Sequence, residues 1–209
     1  METTPVEFEP EPSLATPAWR EAQDWERAWH GSCANTYNEE TKQLQYAARM
    51  GLHAAATDKA CPVYHMGGRS VLDIGGGPCS LLLKCLDVKG TVLDPCAFPP
   101  WVGMRYEAAE VRLIRGMAED FQTEELWDEV WLYNCLQHSA DPAKIVANAR
   151  RWGRVLRVYE WIDTGTGAGH LHSFAAEQYD ALFGARGMVE TTATGSRAWY
   201  GMFAGRGAA

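Results

Sequence analysis

The sequence has no Cys-x-x-Cys pair: its six cysteines, Cys33, Cys61, Cys79, Cys85, Cys96 and Cys135, fall at irregular intervals. That spacing indicates neither a zinc knuckle nor a disulfide scaffold, and thiols of this kind fit a reducing compartment. Basic charge is also in deficit. There are 19 Lys and Arg against 27 Asp and Glu, a formal net charge of −8, which argues against tight binding to a nucleic-acid backbone. The local run Arg150, Arg151, Arg154 and Arg157 reads as a solvated face and as helix C-terminal charge rather than a phosphate-binding stripe. No apolar run approaches the roughly 20 residues that a bilayer-spanning helix needs, and the acidic, proline-bearing start does not have the form of a secretory leader. The expectation is a soluble cytoplasmic protein with no membrane partner. At 209 residues and 46% hydrophobic, the chain can build one sizeable core, or a core with an appendage.

Residues 1–15 carry Glu2, Glu7, Glu9 and Glu11 among Pro5, Pro10 and Pro12, a composition that buries little and predicts a loose acidic arm. Thr16-Pro17 offers an N-cap and a first-turn proline. Ala18, Ala22, Trp25 and Trp29 follow at helical spacing, which predicts a helix that buries a tryptophan stripe in the core, or else lays an aromatic wall over a ligand. Thr36 and Glu39 form a capping-box pattern for a second helix running to about Met50, with Leu44, Ala47 and Ala48 on its apolar side and Gly51 after its end. Residues 1–66 therefore read as an acidic arm and a helical cap, and Lys59 to Gly68 as the crossing into a second unit over 67–209.

From Arg69 onward strands and helices alternate, the pattern of a parallel sheet with crossover helices. Strands are expected at 70–74, 90–94, 111–114, 129–133 and 154–159, with two more β-rich runs joined at Gly195-Ser196 as a hairpin. Asp141-Pro142 opens a helix with a cap and a first-turn proline, and Phe174 to Phe183 is another. Pro99 and Pro100 predict a short or irregular connection over 98–106.

The stretch Ser70-Val-Leu-Asp-Ile-Gly-Gly-Gly-Pro-Cys-Ser80 organises this unit. Val71, Leu72 and Ile74 form a buried strand, Gly75, Gly76 and Gly77 break it, and Leu81, Leu82, Leu83 and Leu86 resume with the spacing of a helix. A strand, a glycine turn and a helix start bring backbone amides close to a ligand. A dinucleotide fingerprint wants Gly or Ala where Ser80 stands. Asp73, two residues before the first glycine, would repel a pyrophosphate but can accept bonds from a cationic amine. A zwitterionic cofactor fits better than a nicotinamide dinucleotide.

These residues resemble the class I S-adenosylmethionine-dependent methyltransferases. The likeness rests on Val71-Leu-Asp-Ile-Gly-Gly-Gly-Pro78, the acid Asp94, Gly116-Met-Ala-Glu119, and Val130-Trp-Leu-Tyr-Asn-Cys-Leu-Gln-His138 followed by Asp141-Pro142. It implies a Rossmann-like α/β fold with a mainly parallel seven-stranded sheet, helices on both faces and the N-terminal helical cap. It also implies S-adenosylmethionine as cofactor and S-adenosylhomocysteine as product. By position, Asp73, Gly75, Gly76 and Gly77 would line the methionine and sulfonium region, Asp94 would bond the ribose hydroxyls, and Pro95 would pack near the adenine. The family commonly has an acid where Met117 stands, so the backbone of Met117 and Ala118 would recognise adenine, with Glu119 as a substitute acceptor. Asn134 would face the cofactor. Apart from the resemblance, Tyr37 and Lys42 of the cap are placed either to close over the cofactor or to lie on the surface of their helix.

The implied reaction is in-line methyl transfer to oxygen, nitrogen or carbon of a small-molecule acceptor. His138, just past the fourth strand, is the first choice as the base that takes the acceptor's proton, and His170 the second. His170 and His172 lie beside the glycine-rich stretch 165–169, and with no third ligand in the sequence they read as a substrate-facing loop rather than a metal site. Glu160 and Trp161 stand at the end of the fifth strand, placed either for substrate contact or to cap the sheet. The alternatives are a nicotinamide-dependent oxidoreductase and a non-catalytic binding or assembly subunit on the same fold.

Overall fold

The computed structural model describes residues 16–54, 62–167 and 169–206; the acidic arm expected over 1–15 lies outside them, as do residues 59–61 of the expected crossing. Two helices come first, α1 (Pro17–His30) and α2 (Cys33–Arg49). The seven strands that follow are β1 (Tyr64–Ile74), β2 (Cys85–Asp94), β3 (Arg112–Arg115), β4 (Trp127–Tyr133), β5 (Gly153–Ile162), β6 (Met188–Thr191) and β7 (Arg197–Ala204). They form one sheet in the order β3-β2-β1-β4-β5-β7-β6, parallel from β3 through β5 and antiparallel where β7 joins β5 and where β6 joins β7. This is the expected mainly parallel α/β sheet with a terminal hairpin.

Alternation along the strands sorts side chains to two faces. Leu72, Ile74, Val130, Leu132, Leu156 and Val158 pack on one face against α4 (Pro142–Trp152) and α5 (Ala176–Phe183). Val71, Val92, Trp131, Tyr133 and Tyr159 pack on the other against α2 and α3 (Pro100–Ala108). The prolines at 99 and 100 sit at the cap and first position of α3, where the missing N–H costs nothing, so they start a short helix rather than spoil one. Asp141 caps α4 by accepting from the Lys144 amide at 3.0 Å, as expected.

The connection after the glycine turn departs from expectation. No α-helix follows Gly77; the residues from Gly77 to Lys84 make two 3₁₀ turns, Gly77–Cys79 and Leu81–Lys84, and β2 begins at Cys85. Leu86 lies on that strand and is exposed. Only ten residues separate β1 from β2, and they must return the chain until Cys85 stands beside Tyr64. A helix rises too little per residue to cover that distance. The amides that a helix would have paired are taken by tyrosine hydroxyls: Ser80 N–H donates to Tyr106 and Leu81 N–H to Tyr133, each at 3.0 Å.

Three smaller differences follow from packing. Strand β1 starts at Tyr64 and runs through the expected crossing, because Gly67 and Gly68, both at positive φ, form a bulge in it instead of ending a linker. Helix α2 starts at Cys33, three residues before the expected cap; Thr36 donates its hydroxyl to Ser32 O and Glu39 pairs with Lys42, so the capping box does not form. Its buried side carries Gln43, Tyr46, Ala47 and Met50, while Ala48 is exposed. Of the arginine run, Arg157 is not solvated. It pairs with buried Glu129 at 2.7 Å and donates to Met50 O at 2.6 Å, tying β5 to the end of α2.

Candidate functional site

Ligands of open parallel sheets bind beyond the carboxyl ends of the strands, where the strand order reverses. Here that point lies between β1 and β4, and a cavity of about 300 Å³ opens there. Its floor is the Gly75–Cys79 turn, the ends of β2 and β4 and the segment after β4; its roof is α1 and the inner side of α2.

The floor is built by backbone constraint. Gly75 has φ +72°, its N–H donates to Leu93 O at 2.9 Å, and a Cβ there would stand 2.6 Å from the Cβ of Cys135. Only glycine fits that position. Asp94, nearly buried at the end of β2, accepts the Gly77 N–H on one oxygen at 3.0 Å and the Cys96 N–H on the other at 2.8 Å. Burial pushes its pKa up, and those two amides oppose the shift. Asn134 adopts φ +52° at the end of β4, donates its N–H to Tyr159 O at 2.8 Å and accepts from the Gln137 amide at 2.9 Å.

Of the residues singled out in the sequence, Gly75, Gly76, Gly77, Asp94, Pro95, Ala118, Asn134, His138 and His170 all meet on this cavity, with Lys42, Glu119 and Trp161. Three do not. Asp73 lies beneath the turn, fully buried, where it accepts from the hydroxyls of Ser80 and Tyr133. Burial raises its pKa to about 7 against the pull of those two bonds. It shapes the floor from below instead of forming its surface. Met117 packs under Trp19, and Tyr37 is exposed on α2 away from the cavity. The two histidines of the loop diverge: His170 turns to His138, with rings 4.7 Å apart, while His172 bonds Ser139 O at 3.0 Å.

The aromatic helix is turned relative to expectation. Trp19 and Ala22 are the buried pair, whereas Trp25 and Trp29 are partly exposed, stack on each other at 5.3 Å and line the cavity. These two rings stand over an opening instead of the core, because α1 leans over the cavity. The residue that the sequence reading passed over is Glu26. Its carboxylate lies 3.2 Å from Nε2 of His30 and 3.1 Å from Nδ1 of His138. Burial works to raise its pKa, but the close contacts and positive charge of the two histidines hold it at about 2. The signal available was the i,i+4 pair Glu26–His30 beside the tryptophans.

Glu160 does not touch the cavity. It is fully buried and accepts the N–H groups of Cys135 and Leu136 at 3.1 and 3.2 Å, fixing the turn that carries His138. Burial raises its pKa to about 7, from an ordinary 4.5, against those two amides. The fold thus favours the protonated carboxyl, a contribution fully present below pH 4.5 and lost as pH rises to about 7. Glu160→Gln keeps an acceptor oxygen for both amides and removes the titration. Thermal melts across about pH 5 to pH 8 should fall less steeply in this variant than in the wild type; an identical slope would mean that Glu160 is not a source of it.

No family model matches the sequence, and no curated protein matches it in sequence. Solved structures share its fold. The 1,6-didemethyltoxoflavin-N1-methyltransferase of Burkholderia thailandensis, with bound 1,6-didemethyltoxoflavin and S-adenosylhomocysteine, is 15% identical with a TM-score of 0.60, over 96% of this chain and 93% of that one. The N-terminal domain of EvdMO1 with S-adenosylhomocysteine bound is 14% identical with a TM-score of 0.55, over 94% and 100%. The [4+2]-cyclase SpnF is 16% identical with a TM-score of 0.52, over 72% and 57%. Among these and other matches the chain spans between 35% and 100% of the other chain's length. The chain has the Rossmann-like fold of class I methyltransferases, and the cyclase shows that this fold also hosts other reactions.

Proposed function

We propose that the chain is an S-adenosylmethionine-dependent methyltransferase acting on a small-molecule acceptor. The observation that carries this reading is the floor of the cavity: a glycine turn with no helix behind it, a buried carboxylate below it in Asp73, and Asp94 beside it. A dinucleotide's pyrophosphate needs the amides and dipole of a helix N-terminus, and the turn offers none. The carboxylates of Glu26, Glu39, Asp94 and Glu119 line the same cavity, which suits a ligand with cationic groups. Gly75, Gly76 and Gly77 would hold the methionine end through their backbone, Asp94 the ribose, Pro95 and Ala118 the adenine, and Asn134 the region next to the acceptor. The bound sulfonium supplies an activated methyl group. The protein's own part is to align the acceptor, exclude water and take up a proton. His138 is the base, and the stacked rings of Trp25 and Trp29 give the acceptor an apolar wall. The toxoflavin methyltransferase, which matches over most of this chain, acts on a small molecule, and this supports the same class of acceptor here.

The test is turnover. With S-adenosylmethionine and a panel of small hydroxyl- and amine-bearing aromatic compounds, mass spectrometry should detect S-adenosylhomocysteine formed only in the presence of an acceptor. A chain that binds the cofactor yet yields none across a broad panel would stand instead as a binding or assembly subunit.

A further inference from the structure

Glu26 lines the cavity, but the methyl-transfer reading gives it no part in the chemistry. Glu26 reaches down from α1 into the cleft between His138 and His30, and the loop opposite makes room for it: a Cβ on Gly169, which has φ +95°, would stand 2.7 Å from the Glu26 Oε1 atom. The same Gly169 turns its carbonyl to His138. We infer that Glu26 is a positioning residue for His138, holding its proton on Nδ1 so that Nε2 faces the cavity chemistry as the proton acceptor; this rests on the methyltransferase reading.

The tautomer follows from what surrounds the ring. Nδ1 is hydrogen-bonded to Gly169 O at 3.0 Å, and Glu26 Oε1 lies 3.1 Å away as an ion-pair partner with no hydrogen bond of its own; neither oxygen can donate. The proton must therefore sit on Nδ1. Nε2 has the Gln137 side-chain amide nitrogen at 3.3 Å, a donor that also bonds Asn134 Oδ1 at 2.9 Å, so Nε2 carries the lone pair, and this long contact is the one that an acceptor's proton would replace. The second oxygen of Glu26 is occupied by His30, which fixes the carboxylate from both sides. The charged and titratable groups around the His138 ring are Glu26 and His30 from α1, Glu160 from β5 and His170 from the loop. Burial alone would lower the His138 pKa, but the close contact with Glu26 and its negative charge raise it above the ordinary value. His170 is pushed the other way, by burial and by the charge of His138, and stays neutral.

The consequence is a class of acceptor. As the acceptor's lone pair forms the bond to the methyl carbon, the electron pair of the broken carbon–sulfur bond stays on sulfur. The acceptor's proton passes to His138 Nε2, and Glu26 balances the imidazolium that results. The atom that is methylated therefore brings a proton with it, as a hydroxyl or a ring N–H does and a tertiary amine or a thioether does not.

Imidazole ¹⁵N spectra of the full chain over a pH series test this without any acceptor. In the wild type, neutral His138 should be the Nδ1–H form and titrate above a free histidine. In Glu26→Gln its midpoint should drop, while Glu21→Gln, an exposed change on the same helix, leaves it in place. A neutral Nε2–H form in the wild type, or a midpoint that Glu26→Gln does not move, overturns the inference. Should Glu26→Gln not fold, Glu26→Asp, which keeps the charge but draws it back from Nδ1, should lower the midpoint in the same direction, and an unmoved midpoint there overturns the inference. Failure of the underlying methyltransferase reading shows separately, as wild-type protein that does not bind S-adenosylhomocysteine.

Discussion

His138→Ala is expected to lower methyl transfer by about 10²- to 10⁴-fold, the usual contribution of a positioned acid or base, while affinity for S-adenosylhomocysteine stays at the wild-type level. The split between the two readouts follows from where the ring's contacts go. Its polar partners are Gly169 O on the loop, Glu26 on the roof and the Gln137 amide on the segment after β4, and none belongs to the Gly75–Gly77 turn or to Asp94. Turnover in the wild type should rise with pH as His138 loses its proton, with a midpoint above that of an ordinary histidine because Glu26 favours the charged form. The variant should lose this limb. Unchanged turnover across the pH series would remove His138 from the reaction and leave His170, whose lowered pKa keeps it unprotonated at neutral pH, as the remaining base.

The second large effect is expected at Asp94. Asp94→Ala removes the proposed ribose acceptor, and hydrogen bonds to a charged group contribute about 1.5–3 kcal/mol, so cofactor affinity should fall by roughly 10- to 100-fold. The same change also takes the partner from two backbone amides, those of Gly77 and Cys96. Leaving a buried donor unmet costs about 1–3 kcal/mol, so the turn itself loosens and the melting temperature drops. Asp94→Asn separates the two contributions: its remaining carbonyl can satisfy one of the amides, and it carries no charge. Calorimetry with S-adenosylhomocysteine and a thermal melt on each variant read both. Wild-type affinity in folded Asp94→Ala protein would mean that the ribose is held elsewhere.

How far the sequence reveals this structure depends on whether a feature is local. The strand before the glycine turn, the Asp141-Pro142 helix start and the terminal hairpin all appear where their residues predict them, because each rests on short-range chemistry: an apolar run, a cap, a turn. The helix after Gly77 was the plain reading of four leucines at 81, 82, 83 and 86, and it is absent. What decides there is the pairing of Tyr64 with Cys85, a register no local pattern encodes. Likewise the acids Asp73 and Asp94 are legible as candidate site positions from their offsets to the glycines. Their division of labour, one beneath the floor and one on it, depends on Ser80 and Tyr133 closing over Asp73. Glu26 is the clearest case of a site residue hidden from the sequence. It lies more than a hundred residues from His138 along the chain, and the two meet because α1 folds back over the carboxyl ends of the central strands.

The cavity between Asp94 and His138 is the proposed site of S-adenosylmethionine. Isothermal titration calorimetry of the full chain with S-adenosylmethionine, S-adenosylhomocysteine and NADH, on protein shown by circular dichroism to be folded, tests it most directly. Saturable one-to-one binding of both sulfur compounds, weakened in Asp94→Ala, with no heat from NADH, is the predicted result. Binding of NADH alone, or of none of the three, would contradict it.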